Sequence, residues 1–212
     1  MTNTPTTHNR DCPQFKLIFI GDPNVGKTCI LNRYVNDVYE ENYQPTIGLD
    51  FQSKNIKIGN QEVNILFYDT AGQEKFRSLI PLYTRDAKII LLVYDISCKD
   101  SFIHISDWLQ ALDNVNKDEV IFALVGNKSD LNENRQVTIE EGQKFAEDNN
   151  FIFQEISAKE NDGFSELFND KIFNEIGEKF NLEGYQPSSE RSDDIVLNNE
   201  EQKEKPKKGG CC

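Results

Sequence analysis

The stretch GDPNVGKT at residues 21–28 follows an apolar run, FKLIFI at residues 15–20, and opens a segment that reads as a helix. The spacing GxxxxGKT between a strand and a helix is typical of a phosphate-binding P-loop. Its glycines allow successive backbone amides to face a β-phosphate, Lys27 can reach the β and γ oxygens, and the Thr28 hydroxyl can bind Mg²⁺. A glycine turn formed by chance is the alternative, and the position after a strand argues against it. The stretch therefore predicts a nucleotide-binding domain.

Around this loop, short apolar runs alternate with helical patterns, which indicates a mostly parallel sheet covered on both faces. Strands are predicted at residues 15–20, 51–58, 62–68, 88–95, 120–126 and 151–156, and helices at 101–115, 139–149 and 164–177. A turn at Gly59 and Asn60 joins the second and third strands as an antiparallel hairpin at one edge. The expected fold is an α/β P-loop NTPase with a mostly parallel six-stranded sheet, one antiparallel edge strand and helices on both faces.

Composition limits the domain count and the partners. The 212 residues suit one domain, expected over 14–180, with disordered tails at 1–13 and 181–212. The chain has 23 Lys and Arg against 36 Asp and Glu, a net charge of −13, so nucleic acid is not an expected partner. Its five cysteines form no CxxC pair, which favours a reduced, cytosolic compartment, and no stretch approaches the ~18 apolar residues of a spanning helix.

Asn127, Lys128 and Asp130, in NKSD, follow the predicted strand at 120–126. A carboxylate placed there can accept hydrogen bonds from N1–H and the 2-amino group of guanine, whereas adenine offers no such pair of donors. Taken alone, NKSD is better explained as a polar loop. Beside a P-loop it indicates specificity for guanine.

The segment DTAGQE at 69–74 ends the third predicted strand. Asp69 would reach Mg²⁺ through water, the Gly72 amide can contact a γ-phosphate, and Gln73 can orient the attacking water. In isolation this segment is an ordinary turn with a helix cap. Thr46 could complete the magnesium shell only with GTP bound, so that hydrolysis would release the loop at 38–48.

These motifs, with PTIG at 45–48 and Ser157-Ala158-Lys159, occur in the order and spacing of Ras-like small GTPases, which the chain resembles from about residue 15 to 178. Finer features are similar to the Rab branch: IGLDF at 47–51, QEKFRSL at 73–79, LYTRDA at 82–87, LVYDIS at 92–97 and a terminal double cysteine. Within that branch, the chain is most similar to the Golgi-associated sixth subfamily.

The resemblance implies roles for particular residues. Ala158 would give its amide to guanine O6, Lys128 would pack against the base and the P-loop, and Tyr39 would stack on the base edge. Nucleotide contacts are implied for Asn24, Val25, Gly26, Lys27, Thr28, Cys29, Tyr39, Tyr43, Thr46, Gly72, Asn127, Lys128, Asp130, Ser157, Ala158 and Lys159. Magnesium ligands are Thr28, Thr46 and Asp69; catalytic groups are Gln73, Lys27 and Gly72; effector-facing residues are Ile47, Phe51, Tyr68 and Tyr83.

Two departures from the family pattern stand out. Rabs usually carry Trp where this chain has Tyr68. The smaller Tyr ring narrows the hydrophobic surface offered to effectors. Packing in the core is an equal explanation for the presence of this ring. Pro23 stands where a small residue is common, and it removes an N–H and alters the approach of an activating protein. His8 and His104 have no matching nucleophile or metal spacing, so no catalytic role is expected for them.

The last residues, Cys211 and Cys212, are not a CaaX sequence. By the resemblance, both are geranylgeranylated, and two lipid chains are what stable anchoring requires. The implied partners are an exchange factor, an activating protein, an escort protein with its prenyltransferase, a GDP-dissociation inhibitor and effectors. The expected location is the cytoplasmic face of intracellular membranes, at the Golgi, with a cytosolic pool when GDP is bound.

The sequence thus predicts a GTPase, converting GTP to GDP and phosphate, that acts as a membrane-tethered switch in vesicle traffic, in Golgi-associated or retrograde transport. Three alternatives remain: a scaffold that binds guanine nucleotide without hydrolysing it, a Rab of another trafficking branch, and a P-loop kinase. A kinase should show a lid with arginines over its acceptor substrate, and the sequence contains no such segment.

Overall fold

The computed structural model describes residues 12–40, 46, 49–70 and 79–182. Within these residues, six strands form one sheet in the order β2-β3-β1-β4-β5-β6. Among the pairs of these described strands, only β2·β3 is antiparallel. The strand bounds are β1 (Gln14–Ile20), β2 (Leu49–Ile58), β3 (Gln61–Thr70), β4 (Ala87–Asp95), β5 (Ile121–Asn127) and β6 (Ile152–Glu155). The predicted fold class is confirmed.

The central strands are apolar along their length because helices cover both faces of the sheet. Neighbouring residues of β1 point in opposite directions: Leu17 and Phe19 belong to one buried cluster, and Ile18 and Ile20 to the other. Each face of the sheet therefore has its own hydrophobic core.

In the described part of the chain, six α-helices surround the sheet: α1 (Lys27–Asn36), α2 (Ile80–Tyr83), α3 (Lys99–Ile103), α4 (Ile105–Gln110), α5 (Ile139–Asn149) and α6 (Phe173–Lys179). Helices α1 and α6 pack on the first face, where they bury Ile30, Leu31 and Ile176. Helices α4 and α5 pack on the second face and bury Ile105, Trp108 and Ala146. Among the described residues, no helix is both long and apolar enough to cross a membrane.

A capping box lies at the start of α5. The Glu141 N–H donates to the Thr138 hydroxyl at 3.1 Å, and the Thr138 N–H donates to the Glu141 carboxylate at 2.9 Å. Each side chain thus satisfies a backbone donor of the other.

Two helices differ from the prediction. The segment predicted at 101–115 is divided into α3 and α4 at His104, and after Gln110 it tightens into turns. The segment predicted at 164–177 contains a π-helical stretch, Glu166–Ile172, which leads into α6. Within it Leu167, Phe168 and Ile172 are all buried, and Phe168 stacks on Tyr34 of α1 with ring centroids 3.8 Å apart. Packing on α1 and the sheet, rather than helical periodicity, determines this geometry.

Candidate functional site

The candidate site lies at the carboxyl edge of the sheet, beyond the ends of β1, β3 and β5. From β1 the sheet extends to β3 on one side and to β4 on the other, and ligands of open α/β sheets bind at such a reversal of strand order. A cavity of about 420 Å³ opens there. Its lining is Pro23, Asn24, Gly26, Lys27, Thr28, Cys29, Tyr39, Glu40, Thr46, Thr70, Asn127, Lys128, Asp130, Leu131, Ala158 and Lys159.

Two glycines give the loop between β1 and α1 its shape. Gly21 has φ +148° and Gly26 has φ +96°. A Cβ on Gly21 would lie 2.1 Å from the carbonyl oxygen of Val93, and one on Gly26 would lie 2.3 Å from Nδ2 of Asn127. No larger residue fits either position without moving the neighbouring strand or Asn127, so both glycines are required by packing as well as by φ.

Lys27, the first residue of α1, is buried under this loop. Its ammonium donates to the carbonyl oxygens of Gly21 at 2.8 Å and Asp22 at 2.7 Å. Burial lowers the pKa of Lys27 to about 8, against the opposing effect of the Asp69 and Asp22 carboxylates. The loop thus holds a desolvated cation that an anionic ligand would stabilise.

Asp69, Thr28 and Thr46 meet beside Lys27. The Thr28 hydroxyl donates to Oδ2 of Asp69, the Thr46 hydroxyl donates to the same oxygen at 3.1 Å, and the two hydroxyl oxygens lie 3.0 Å apart. Asp69 is 0% exposed, and among the described residues its Oδ1 has no hydrogen-bond partner. Burial raises the pKa of Asp69, although hydrogen bonds from both threonines and the charge of Lys27 act the other way.

These oxygens fit Mg²⁺. The ion prefers oxygen ligands and usually combines one or two protein groups with phosphate oxygens and water. Among the described residues no group of three His, Cys, Asp or Glu could hold a metal, so a cage made wholly of such side chains is absent there. The unpaired Asp69 oxygen beside two hydroxyls instead suits an ion that arrives with a phosphate.

Asn127 braces the other end of the cavity. It is buried at the end of β5, where its Nδ2 donates to the carbonyl oxygen of Val25 at 2.8 Å and its Oδ1 accepts from the Ala158 N–H at 3.3 Å. One side chain therefore joins the loop after β1 to the loop after β6.

An ion pair and a hydrogen bond hold Lys128 and Asp130 at the same end of the cavity. The Lys128 ammonium lies 2.6 Å from Oδ2 of Asp95, whose other oxygen accepts from the hydroxyl and the amide of Ser97. Oδ1 of Asp130 accepts from the Ser157 hydroxyl at 2.6 Å. Lys128 and Asp130 are thus held in place by side chains outside the motif they belong to.

The family model that matches this chain is the Ras family, over residues 16–177. The match includes β1 through most of α6, and with them every described strand except the first two residues of β1. The chain belongs to the Ras family. Ras-family proteins are small GTPases that switch between GTP- and GDP-bound forms, typically with Mg²⁺, and interact with exchange factors, activating proteins and effectors.

Most of the residues for which the Ras-like motifs predicted nucleotide contacts line this cavity. Val25 and Ser157 are buried and do not line it; they contact Asn127 and Asp130 instead. Tyr43, Ile47, Gly72, Gln73, Cys211 and Cys212 lie outside the described residues. Their roles remain predictions.

Sequence reasoning did not identify Arg33, which no motif contains. From α1 its Nε donates to the Ala158 carbonyl at 3.0 Å and a terminal nitrogen donates to the Lys159 carbonyl at 3.3 Å. Its guanidinium also lies 5.9 Å from the ring centre of Tyr39. Pro23, Glu40, Thr70 and Leu131 line the cavity as well, although no contact was predicted for them.

The aromatic residues predicted to face effectors lie on β2, β3 and α2. Phe51 is 64% exposed, and its ring centre lies 6.0 Å from that of Tyr68 on the next strand. Tyr68 also carries the Lys16 ammonium over its ring, at 4.6 Å. Tyr68 and Tyr83 pack partly against the second core, so both alternatives raised for Tyr68, packing and display, apply to it.

Proposed function

We propose that this chain is a Rab-type GTPase, a switch tethered to membranes by lipid and acting in vesicle traffic at the Golgi. The observation that carries the switch is the contact of Thr46 with Thr28 and Asp69. Thr46 lies between α1 and β2 in the sequence, and its hydroxyl contacts both of these side chains. A ligand that joins these three oxygens would hold Thr46 in place, and its loss would release this residue.

In the proposed reaction, Lys27 binds the β- and γ-phosphate oxygens while its bonds to the Gly21 and Asp22 carbonyls hold the ammonium in place. Thr28, Thr46 and Asp69 would hold Mg²⁺, which neutralises phosphate charge when bound. Asp130 and the Ala158 amide would read guanine. Gly72 would orient the γ-phosphate and Gln73 the attacking water.

GDPNVGKT, PTIG, DTAGQE and NKSD contain no arginine that could serve the γ-phosphate, so hydrolysis by the protein alone should be slow. An activating protein would supply that charge in trans. Exchange factors would open the same loops to release GDP, and effectors would bind the surface around Phe51.

Single-turnover hydrolysis of bound GTP tests the enzymatic part. Wild type should convert GTP to GDP and phosphate. Gln73→Leu should be roughly ten- to a hundredfold slower with nearly unchanged GTP affinity, because this side chain orients water and does not hold nucleotide. Tight GTP binding without any turnover in wild type would favour the non-hydrolysing scaffold.

The Rab assignment is supported by IGLDF, LYTRDA and LVYDIS, and by the exposed ring of Phe51 beside the half-buried ring of Tyr68. The corresponding partners are an escort protein and prenyltransferase, which would add two geranylgeranyl groups, and a GDP-dissociation inhibitor, which would hold a cytosolic pool. The similarity to the sixth subfamily supports a location on the cytoplasmic face of Golgi membranes. Imaging the tagged protein in its own cells would separate this branch from another trafficking branch.

Deleting Cys211 and Cys212 tests the tether. Cell fractionation should show the deleted protein in the cytosol, with unchanged nucleotide content and hydrolysis, because both cysteines lie beyond the residues that form the site. Removing one cysteine should cause partial release, since a single lipid chain binds reversibly. Full membrane retention after the double deletion would contradict the proposed anchor.

A further inference from the structure

The carboxylate of Asp22 is held by two side chains from a distant part of the chain. Its Oδ2 lies 2.6 Å from Nδ1 of His104, between α3 and α4, and its Oδ1 accepts from the Trp108 indole N–H at 2.8 Å. Both oxygens therefore bind one helical segment, more than 80 residues further along the chain.

Asp22 is also part of the phosphate-binding loop. Its backbone carbonyl accepts from the Lys27 ammonium at 2.7 Å, so one residue connects that segment to the cation expected to hold phosphate. Trp108 is 2% exposed and lies in the second core, which gives the contact a rigid base. The His104 side chain is 44% exposed.

We propose that His104 and Trp108 are positioning residues for nucleotide binding: they fix Asp22, and through it the phosphate-binding loop and Lys27, so that bound nucleotide dissociates slowly. The proposal rests on the nucleotide site described under Proposed function. Both contacts are hydrogen bonds to a carboxylate, which are about twice as strong as those between neutral groups. A loop freed of them would lose the fixed geometry of the Asp22 carbonyl.

His104 also makes the contact sensitive to pH. The described charges that face it are Asp22 from the loop, Asp100 from α3 and Asp107 from α4, with Lys27 beyond Asp22. The hydrogen bond that His104 donates to Asp22 raises the pKa of His104 despite partial desolvation, and the two helix carboxylates add to that effect. The imidazolium–carboxylate pair is therefore complete below the ordinary histidine pKa and weakens as pH rises through the higher value of the folded protein.

Dissociation of fluorescent GDP into excess unlabelled GDP, in Mg²⁺ and over pH 6 to 8.5, tests the proposal. His104→Ala should release GDP roughly tenfold faster at pH 6.5, and wild type should release it faster as pH rises. His104→Gln keeps a donor for Asp22 and does not titrate, so it should recover part of the slow dissociation and show a flat pH profile. Trp108→Phe keeps the ring in the core and should release GDP several-fold faster.

The matched control is Ile103→Ala, which changes the exposed neighbour of His104 and should leave dissociation and its pH profile as in wild type. Asp22→Asn combined with His104→Ala should be no faster than the faster single variant, because both changes break one contact. Equal dissociation from wild type and His104→Ala, or a lower melting temperature with the pH profile unchanged, would overturn the proposal. Failure of wild type to bind GDP at all would instead contradict the proposed function.

Discussion

The two ends of the cavity differ in how completely their polar groups are satisfied within the protein. At the base end, the Asn127 amide bonds at both atoms, Lys128 pairs with Asp95, and Asp130 accepts from Ser157. At the phosphate end, burial lowers the pKa of Lys27 and raises that of Asp69, and Oδ1 of Asp69 has no partner among the described residues.

From this difference we expect one end of the cavity to recognise the base and the other end to respond to the loss of phosphate. The proposed base end is preorganised and would bind guanine with little rearrangement, so its contribution should be similar whether GTP or GDP is bound. The phosphate end keeps two buried charges that are incompletely paired, which destabilises the nucleotide-free protein. Phosphate and Mg²⁺ would pair with these charges, and their loss would release Thr46.

The largest effect is expected for Lys27→Ala at the phosphate end. The change removes the cation proposed to bind the β- and γ-phosphates, and GTP affinity should fall roughly a hundredfold or more. Equilibrium titration with a fluorescent GTP analogue measures it. Lys144→Ala, which removes an exposed lysine on α5, is the control and should bind like wild type. Comparable affinities for the two variants would mean that phosphate is held elsewhere.

At the base end, Asp130→Asn should exchange guanine for xanthine preference. The amide would donate to the 2-oxo group of xanthine where the carboxylate is proposed to accept from the 2-amino group of guanine, and GTP affinity should fall about a hundredfold. Competition between GTP and XTP measures the change. Asp148→Asn, an exposed carboxylate on α5, should retain the wild-type preference. If Asp130→Asn still prefers GTP, this end of the cavity does not read the base.

Asp69→Asn should stabilise the nucleotide-free protein but weaken its binding of GTP in Mg²⁺. The neutral amide removes a buried, partly unpaired charge, so the nucleotide-free protein should melt a few degrees higher, as expected for about 1 kcal/mol in a domain of this size. Magnesium-dependent GTP affinity should fall roughly ten- to thirtyfold. Calorimetry on stripped protein, with titrations in Mg²⁺ and in EDTA, measures both. A lower melting temperature without nucleotide would show that the phosphate end is already satisfied by the protein.

The smallest effect concerns pH. The unfolded chain binds more protons at Lys27 than the folded one between about pH 8 and the ordinary lysine value, so the nucleotide-free protein should gain stability as pH rises through that window. Nucleotide must restore the proton, so GTP affinity should fall roughly five- to tenfold between pH 7.5 and 9. Lys27→Arg does not titrate there and should show a flatter profile, and any titration of guanine itself would appear in both proteins. Identical profiles would mean that Lys27 stays charged without ligand.

The sequence by itself determined the fold class and the set of loops that meet at the site. Alternating strand and helix patterns, with a P-loop after the first strand, specify a mostly parallel sheet, and parallel strands bring their carboxyl ends to one edge. GDPNVGKT, NKSD and Ser157-Ala158-Lys159 are local signals, because backbone turns and donor types are encoded in short stretches. Their gathering around one cavity therefore followed from the topology.

Only the tertiary structure revealed which residues outside the motifs hold those loops. Arg33 reaches the loop after β6, Asp95 pairs with Lys128, and His104 and Trp108 bind Asp22 across more than 80 residues. Nothing in a helical pattern distinguishes such a histidine or arginine from a solvated one. The predicted helix is divided at His104, and a π-helical stretch follows Ser165. Both features have the same origin, because long-range packing selects geometries that local propensity does not encode.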